Sequence, residues 1–369
     1  MEADGRQDDG DGALSGARSD VRSDARADAG WMGVALALAE RTRGATAPNP
    51  NVGCVIVRSG RVVGRGWTQA GGRPHAEAMA LAEAGDAARG ATAYVTLEPC
   101  AHVSVRGPAC SDLLVAAGVA CVVAALRDPD PRTAGAGFAR LAAAGIAVET
   151  GVRADAARRS MAGFLTRRRF GRPQVTLKLA TSLDGCIAMA DGTSRWITGA
   201  EARAHAHLER SRHEAILVGR GTFAADAPRL DVRLAGLESR GPRRVMLSGT
   251  LEPGRHPSLR WGDGGGGRRG GEREADGWTI IARAADIATL DGVDHVLVEG
   301  GAQTAAAFLA ADLVDRLLLY RAPILIGGGL PAIGAIGIDL SAAHGRWAAV
   351  DARQLGSDRL EVYERARSD

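Results

Sequence analysis

Four side chains between residues 75 and 110 could together activate a water molecule. His75 and Glu77 stand two positions apart in a Pro-His-Ala-Glu segment, and Cys100 and Cys110 follow later in the chain. One imidazole and two thiolates suit Zn²⁺, and three protein ligands leave a fourth position for water. The pattern predicts a catalytic zinc centre with His75, Cys100 and Cys110 as metal ligands. Glu77 is then the catalytic residue that carries a proton from that water to a leaving group.

The order of these residues is also typical of zinc-dependent deaminases, in which H-x-E precedes P-C and a second cysteine. Two alternatives stay open: a His-x-Glu can simply start a helix beside unrelated core thiols, and a structural zinc site could take His102 as a fourth ligand. The other cysteines, which we expect to be buried packing residues in apolar strands, are Cys54, Cys121 and Cys186.

The composition is that of a globular protein. A chain of 369 residues favours two domains, and 46% hydrophobic with 24% charged residues excludes the disordered and membrane classes. Five cysteines are too few and uneven for a disulfide framework. A net charge of +3 gives no field that calls for nucleic acid. Without a signal-like or membrane-spanning apolar run, we expect a cytoplasmic protein with a small-molecule substrate, no nucleic acid and no membrane partner. A homo-oligomer is left open.

Alternating strand and helix patterns divide the chain. Residues 1–30 lack apolar periodicity and are predicted to be a disordered tail. A three-layer α/β domain is predicted over residues 31–150, and residues 151–172 form a linking helix. In the domain of residues 31–150, helices are predicted at 31–43, at about 75–84 and from near Cys110. Strands are predicted there at 52–57, 62–67, 93–97 and 119–126.

A second α/β domain is predicted over residues 173–369. Its strands are expected at 175–179, 215–218, 244–247, 279–282, 295–298 and 316–320, with helices near 200–212 and 302–311. The glycine-rich, charged segment 261–277 is interpreted as a flexible surface insertion.

Lys178 is the single lysine among 46 basic residues. Genome base composition explains such a bias, but a compact ammonium that arginine cannot replace would also explain the one exception.

Seven segments together resemble the bifunctional deaminase/reductase family of riboflavin biosynthesis. They are residues 46–53, 74–77, 96–102, 177–185, 194–199, 216–222 and 298–301, in family order between residues 31 and 365. The resemblance implies a cytidine-deaminase-like α/β/α domain followed by a dihydrofolate-reductase-like α/β domain. It implies zinc-dependent loss of a ring amine from a phosphoribosylated pyrimidine, then NADPH-dependent reduction of the ribosyl unit to a ribityl chain.

The resemblance also assigns residues. In the deaminase half it assigns Asn49 and His102 to the pyrimidine. In the reductase half the NADPH contacts would be Thr181, Trp196, Thr222, Asp226, Gly300 and Gly301, and the substrate contacts Ser194, Arg210, Leu230, Arg233 and Glu299. The Gly300-Gly301 turn between a strand and a helix start favours the binding of a phosphate group, and the guanidinium groups of Arg210 and Arg233 can bind one with two hydrogen bonds. Lys178 is proposed as the catalytic group that polarises or protonates the sugar oxygen as hydride arrives.

Two departures from the family pattern stand out. The segment 103–109 between the cysteines is one residue longer than usual, which leaves open whether Arg106 replaces the family's basic contact. Asp226 has no second acid before Pro228. Alternative functions are a nucleic-acid-editing deaminase, a non-catalytic zinc scaffold, and a chain in which only one domain is active. The reductase-like half and Glu77 argue against the first two.

Overall fold

The computed structural model describes residues 25–102, 106–250, 273–275 and 277–367. Its α-helices are α1 (Ala25–Ala39), α2 (Ala76–Ala84), α3 (Cys110–Ala117), α4 (Ala136–Ala143), α5 (Ala154–Ser160), α6 (Ala162–Phe170), α7 (Ala200–Arg210), α8 (Arg220–Asp226), α9 (Ala302–Ala310) and α10 (Leu340–Ala343). Its strands are β1 (Gly53–Arg58), β2 (Arg61–Trp67), β3 (Thr92–Val95), β4 (Cys121–Ala124), β5 (Ala147–Thr150), β6 (Gln174–Thr181), β7 (Cys186–Ala188), β8 (Ala215–Gly219), β9 (Arg243–Leu247), β10 (Arg273–Ala275), β11 (Trp278–Ile281), β12 (His295–Val298), β13 (Arg316–Arg321), β14 (Leu330–Pro331), β15 (Trp347–Leu355) and β16 (Asp358–Arg365).

The first half is built on a five-stranded sheet in the order β2-β1-β3-β4-β5. β1 is antiparallel to both of its neighbours, whereas β3, β4 and β5 are parallel. β1 is buried at every position from Gly53 to Val57, so both of its faces are covered. α1 and α2 both pack against β1. The result is the three-layer α/β arrangement that the alternating pattern predicted.

Glycines in β2 allow α2 to lie directly on the sheet. A Cβ added at Gly66 would fall 2.0 Å from the Ala76 carbonyl oxygen, and one at Gly64 would fall 2.1 Å from that of Ala80. Since no side chain fits in such gaps, the backbone of β2 must lack one at both positions. This close approach fixes the start of α2, which carries His75 and Glu77.

The first helix begins earlier than predicted. The expectation of a disordered tail over residues 1–30 is wrong for residues 25–30, which form the first turns of α1. The reason is a polar contact that apolar periodicity does not show: buried Asp28 accepts a hydrogen bond from Tyr94 Oη at 2.7 Å. Burial and Asp28 raise the pKa of Tyr94, so its hydroxyl stays protonated and donates. Residues 1–24 lie outside the described residues.

The segment predicted as one linking helix forms two helices, α5 and α6, packed between the halves. Met161 and Phe164 are buried in the core of the first half. On the other side, Gly163 N donates to His295 Nε2 of β12 at 3.2 Å, and Arg167 Nη2 donates to the Leu290 carbonyl at 2.9 Å. The segment is therefore a wedge that contacts both sheets.

The second half is built on a nine-stranded sheet in the order β10-β11-β9-β8-β12-β6-β13-β16-β15. The strands from β11 to β13 are parallel, and β10, β16 and β15 add antiparallel edges. The six predicted strands correspond to β6, β8, β9, β11, β12 and β13, and the two predicted helices to α7 and α9.

Some elements of the second half differ from the expectation. Sequence reasoning missed the hairpin of β15 and β16, because most side chains of β15 are exposed and give no alternation. Of the predicted insertion 261–277, residues 273–275 form the edge strand β10, and residues 261–272 and 276 lie outside the described part. Among the helices of the described residues, none is long and apolar enough to cross a membrane.

The wedge gives a stability prediction. A Cβ added at Gly163 would lie 2.4 Å from His295 Cε1, so Gly163→Ala should overpack this junction and cost about 1–3 kcal/mol. Gly30→Ala is the matched control, because Gly30 is also helical and meets nothing within 4 Å; it should be neutral or stabilising by about 0.5–1 kcal/mol. Urea unfolding followed by circular dichroism compares the two. Equal midpoints would show that the wedge is not packed against β12.

Candidate active sites

His75, Cys100 and Cys110 reach one point from three different elements. His75 is the N-cap residue of α2, Cys100 follows β3 in a short loop, and Cys110 opens α3. His75 Nδ1 lies 3.3 Å from Cys110 Sγ and 3.6 Å from Cys100 Sγ. The Cys110 backbone N–H donates to Cys100 Sγ at 3.3 Å. One nitrogen and two sulfurs thus face each other, as predicted.

This triangle fits zinc. The three ligand atoms lie within 4.8 Å of one another, and ligands of a tetrahedral Zn²⁺ stand about 3.5–3.8 Å apart. Hydrogen bonds from the Cys110 thiol and His75 lower the pKa of Cys100, which favours the thiolate that a metal needs.

His102 is not part of the metal cluster found among the described residues; its Nδ1 lies 3.4 Å from Thr133 Oγ1. A fourth position is therefore left for water or substrate, as in catalytic rather than structural sites.

Glu77 lies in the first turn of α2, two residues after His75, and is 4% exposed. Desolvation raises the pKa of its carboxyl to about 6, and the charge of His75 opposes the shift. A carboxyl group with a pKa near neutrality can both accept and give up a proton. The position and the pKa agree with the predicted role as proton carrier.

A cleft of about 240 Å³ opens in front of this cluster, and Asn49, His102 and Arg106 line it. Asn49 Nδ2 donates to the Gly72 carbonyl at 2.8 Å and lies 3.2 Å from His75 Nε2. The structure therefore brings both residues assigned to the pyrimidine, and Arg106 of the lengthened loop, to the same cleft as the metal ligands.

Among the residues of this cleft that sequence reasoning missed are Phe164 and Arg168 of the wedge. Arg168 Nη2 lies 3.1 Å from Asp130 Oδ2, and Asp130 also pairs with Arg132 at 2.6 Å. All three charged residues line the cleft, together with Arg73 and Arg106. No local signal could have found Arg168, because it stands in a run of three arginines that is typical of a solvated helix face.

Glu98 holds the loop that carries Cys100. Its buried carboxylate accepts hydrogen bonds from the backbone N–H groups of Gly135 and Gly137, both at 2.9 Å, and from Asp128 at 3.2 Å. The loop after β4 is thereby tied to the loop before Cys100. The sequence motif at residues 96–102 contains Glu98, but it did not indicate this structural role.

A second candidate site lies where β6, β8 and β12 end. Ligands of open parallel sheets bind beyond the carboxyl ends of the strands. Thr181 ends β6, Gly219 ends β8, and Gly300-Gly301 join β12 to α9. A Cβ at Gly219 would lie 2.2 Å from Thr304 Oγ1, and one at Gly300 would lie 2.6 Å from Thr304 Cβ. The two glycines let the start of α9 approach the strand ends, and they leave backbone N–H groups free for phosphate.

Lys178 lies on β6 beside a buried ion pair. Arg210 and Glu299 form a bidentate pair with two N···O distances of 2.8 Å. Desolvation lowers the pKa of Lys178, and the charge of Glu299 opposes this shift. Desolvation acts to raise the pKa of Glu299, but hydrogen bonds from Arg210 and the charges of Arg210 and Lys178 lower it to about 2. The Lys178 Nζ also stands over the Tyr320 ring, 5.8 Å from its centroid.

The remaining residues predicted for NADPH lie on the exposed side of this region. Trp196 is 66% exposed, with the Arg203 guanidinium 4.6 Å from its ring centroid. Asp226 ends α8 and lies 3.5 Å from Arg195. Thr222 lies in α8 and faces the Gly301 turn, since a Cβ at Gly301 would be 3.9 Å from its Oγ1. Their roles as NADPH contacts stay predictions.

The predicted substrate residues are placed differently from one another. Ser194 is exposed, and Arg233 lies 3.4 Å from Asp231 with an exposed side chain. Arg210 gives two N–H groups to Glu299 and a third to the Asp231 carbonyl, so three of its five donors are already used. The roles of Arg210 and Arg233 toward a substrate phosphate stay predictions.

The side chain of Leu230 is 5% exposed and packs in an apolar cluster. A contact from Leu230 to substrate could come only from its backbone, which has φ +53°.

Comparisons with known proteins match both halves of the chain. Residues 25–126 match the family model of the cytidine and deoxycytidylate deaminase zinc-binding region. Residues 173–263 and 282–360 match the RibD C-terminal domain. The riboflavin biosynthesis protein RibD of Escherichia coli K12 is 42% identical over 325 residues, which cover 80% of this chain and 88% of the relative. The chain belongs to the RibD family.

Other RibD proteins show the same likeness. RibD of Mycobacterium tuberculosis H37Rv is 39% identical over 342 residues, which cover 89% of this chain and 95% of the relative. The structure of Acinetobacter baumannii RibD superposes with a TM-score of 0.77 at 35% identity and covers 93% of this chain and 100% of its own. A Thermotoga maritima deaminase/reductase gives 0.79 at 31% identity, with 93% and 99% coverage.

Membership confirms the main predictions. The fold is a cytidine-deaminase-like domain followed by a RibD C-terminal, dihydrofolate-reductase-like domain. The protein is a bifunctional enzyme of riboflavin biosynthesis, a deaminase and a reductase, with zinc and NADPH as cofactors. His75, Cys100 and Cys110, which could hold a metal ion, lie together in the deaminase half, and their roles and that of Glu77 stay predictions.

The metal centre can be tested by composition. Cys100→Ser and Cys110→Ser each remove one of three ligands, so zinc content should fall from near one ion per chain to a small fraction of that value. Cys121→Ala is the control, because this thiol is half-buried in β4 and outside the cluster. Mass spectrometry of the purified proteins measures the metal. Full zinc content in either serine variant would contradict the ligand assignment.

Proposed function

We propose that this RibD protein carries out two successive steps on one phosphoribosylated pyrimidine. The first is hydrolytic deamination of 2,5-diamino-6-(5-phosphoribosylamino)pyrimidin-4(3H)-one, and the second is NADPH-dependent reduction of the ribosyl unit to a ribityl chain. The observation that carries the first step is the His75–Cys100–Cys110 triangle with buried Glu77 beside it. Support for the second comes from the match to the RibD C-terminal domain and the cleft at the strand ends.

In the deaminase cleft, the residues orient the ring and move a proton. When bound by His75, Cys100 and Cys110, zinc supplies a Lewis acid that makes water nucleophilic at neutral pH. Asn49 and His102 hold the pyrimidine against this point. The Glu77 carboxylate takes a proton from the attacking water and delivers it to the departing amine nitrogen, which leaves as ammonia.

The rim of the same cleft suits the rest of the substrate. Arg106 and Arg168 supply guanidinium groups that can hold a phosphate outside the catalytic point. Arg168 already stands over the Phe164 ring, with 5.2 Å between its Cζ and the ring centroid, so it is held in place before the substrate arrives. We therefore assign the phosphoribosyl chain to this rim.

In the reductase cleft, Thr181, Thr222, Gly300 and Gly301 would hold the phosphates of NADPH, with Trp196 and Asp226 at the exposed side. The cofactor supplies hydride to the ribosyl carbon. The Lys178 ammonium donates a proton to the sugar oxygen as the ring opens, and the charge of Glu299 opposes the desolvation that lowers the pKa of Lys178. Arg233 and Ser194 would face the substrate, and Arg210 orients Glu299.

Deamination would then be carried out by residues up to about 150 together with Arg168 of the wedge, and reduction by residues from 173 onward. A cytoplasmic location, a homo-oligomer and the absence of nucleic-acid and membrane partners stay predictions. An editing deaminase would have no use for a reductase domain, which argues against that function for this chain.

The two catalytic residues should separate the two activities. In Glu77→Gln, ammonia release should fall by at least about a hundredfold, because the amide cannot carry the proton. Zinc content and NADPH oxidation with the deaminated intermediate should be unchanged. Ammonia and NADPH absorbance are followed separately. Deamination at the wild-type rate in Glu77→Gln would remove the proposed proton carrier.

Lys178→Met should instead impair the reductase activity and leave the deaminase activity unchanged. NADPH oxidation should fall by about 10²–10⁴-fold while ammonia release stays at the wild-type rate, because the methionine keeps the bulk but not the donor. Lys178→Arg tests whether a compact ammonium is needed rather than charge alone. Full reductase turnover in Lys178→Arg would remove the specific role of the lysine.

A further inference from the structure

A second cavity, of about 440 Å³, lies between the two halves and belongs to neither reaction centre. We call it the interface cavity; α1 and α5 line it from the deaminase half, and β6, β13, β15 and β16 line it from the reductase half. Gln174 and Arg316 border it at the amino ends of β6 and β13. The reductase cleft lies at the opposite, carboxyl ends of the same sheet.

The lining of the interface cavity is strongly basic. Its arginines are Arg43, Arg153, Arg159, Arg212, Arg316 and Arg353, against the acids Glu40, Asp351 and Glu364. Arg212 and Arg316 both pair with the carboxylate of Glu209, a buried residue that does not itself line the cavity. Counting Glu209, six arginines face four acids.

Two of these arginines have no carboxylate partner among the residues that the structure describes. Arg353 pairs with Asp351, and Arg43 lies 3.7 Å from Glu40. Arg153 and Arg159 form no ion pair with the described residues, although both border the cavity. One bound dianion would neutralise this surplus of positive charge.

Two deeply buried polar atoms in the lining also lack partners among the described residues. The side chain of Arg43 is 7% exposed and its Nε makes no hydrogen bond. Gln174 is 7% exposed and its Oε1 accepts none. Leaving such a group unsatisfied costs about 1–3 kcal/mol each. Because both residues line the interface cavity, a ligand there that reached these atoms would need an anionic acceptor for the arginine and a donor, such as a hydroxyl, for the glutamine.

We propose that the interface cavity binds the phosphate monoester of a small sugar or polyol. The phosphate meets Arg43, Arg153 and Arg159, and a hydroxyl donates to Gln174 Oε1. The volume suits a molecule of that size, since ligand pockets span about 300–1,000 Å³. Because both halves of the chain line the site, its occupant stabilises their junction.

The test is calorimetric titration of ribose 5-phosphate into the zinc-loaded enzyme at saturating NADPH. Arg159→Ala should weaken binding about tenfold, a loss of about 1.4 kcal/mol. Arg158→Ala is the matched control: Arg158 is the next residue of the same helix, is paired with Asp155 and lies outside the cavity. It should bind as the wild type does. Equal affinities in the two variants would overturn the proposal.

A second arm separates the hydroxyl contact from the phosphate contact. Gln174→Met removes an unsatisfied oxygen and should leave inorganic phosphate binding unchanged while weakening ribose 5-phosphate severalfold. A glutamine variant that binds both probes like the wild type contradicts the hydroxyl contact. Binding that is lost in Arg168→Ala or Arg233→Ala but kept in Arg159→Ala would place the probe in a reaction cleft and overturn the proposal.

Discussion

The close contact between β2 and α2 is the constraint on which the deaminase half depends. Because Gly64 and Gly66 have no side chains, the backbone of α2 rests on the strand, and its first turn is fixed relative to the sheet. A tetrahedral metal tolerates errors of only a few tenths of an ångström in its ligands. His75 and Glu77 gain that accuracy from a helix start that cannot shift, and the Glu98 hydrogen bonds give the loop of Cys100 the same rigidity.

The reductase half uses small residues in a similar way but adds electrostatics. Thr304 fits between Gly219 and Gly300, which joins the ends of β8 and β12 and leaves their N–H groups available. Glu299, beside this turn, lies between the positive charges of Arg210 and Lys178. The bidentate arginine fixes the position of the carboxylate, and Lys178 adds a second positive charge beside it.

What the sequence could predict follows from the range of the interactions. Short sequence motifs at the ends of helices and strands contain His75, Cys100 and Cys110, so the sequence alone could predict these three residues. Arg168 could not be found, because its place in the cleft depends on how the wedge folds back onto the first sheet. The early start of α1 depends on the buried Asp28–Tyr94 pair, which links residues distant in sequence. The apolar position of Leu230 was hidden because family resemblance assigns a role without saying whether side chain or backbone performs it.

The wedge of α5 and α6 joins the two halves by contacts with both. Phe164 belongs to the first core and also lines the deaminase cleft, one residue beyond Gly163, whose N–H binds His295 of β12. Gly163 and Phe164, adjacent in the chain, thus link β12 to the deaminase cleft. β12 is followed directly by Glu299, beside the proposed reductase site. One short helix and one strand therefore connect the two clefts through packed contacts.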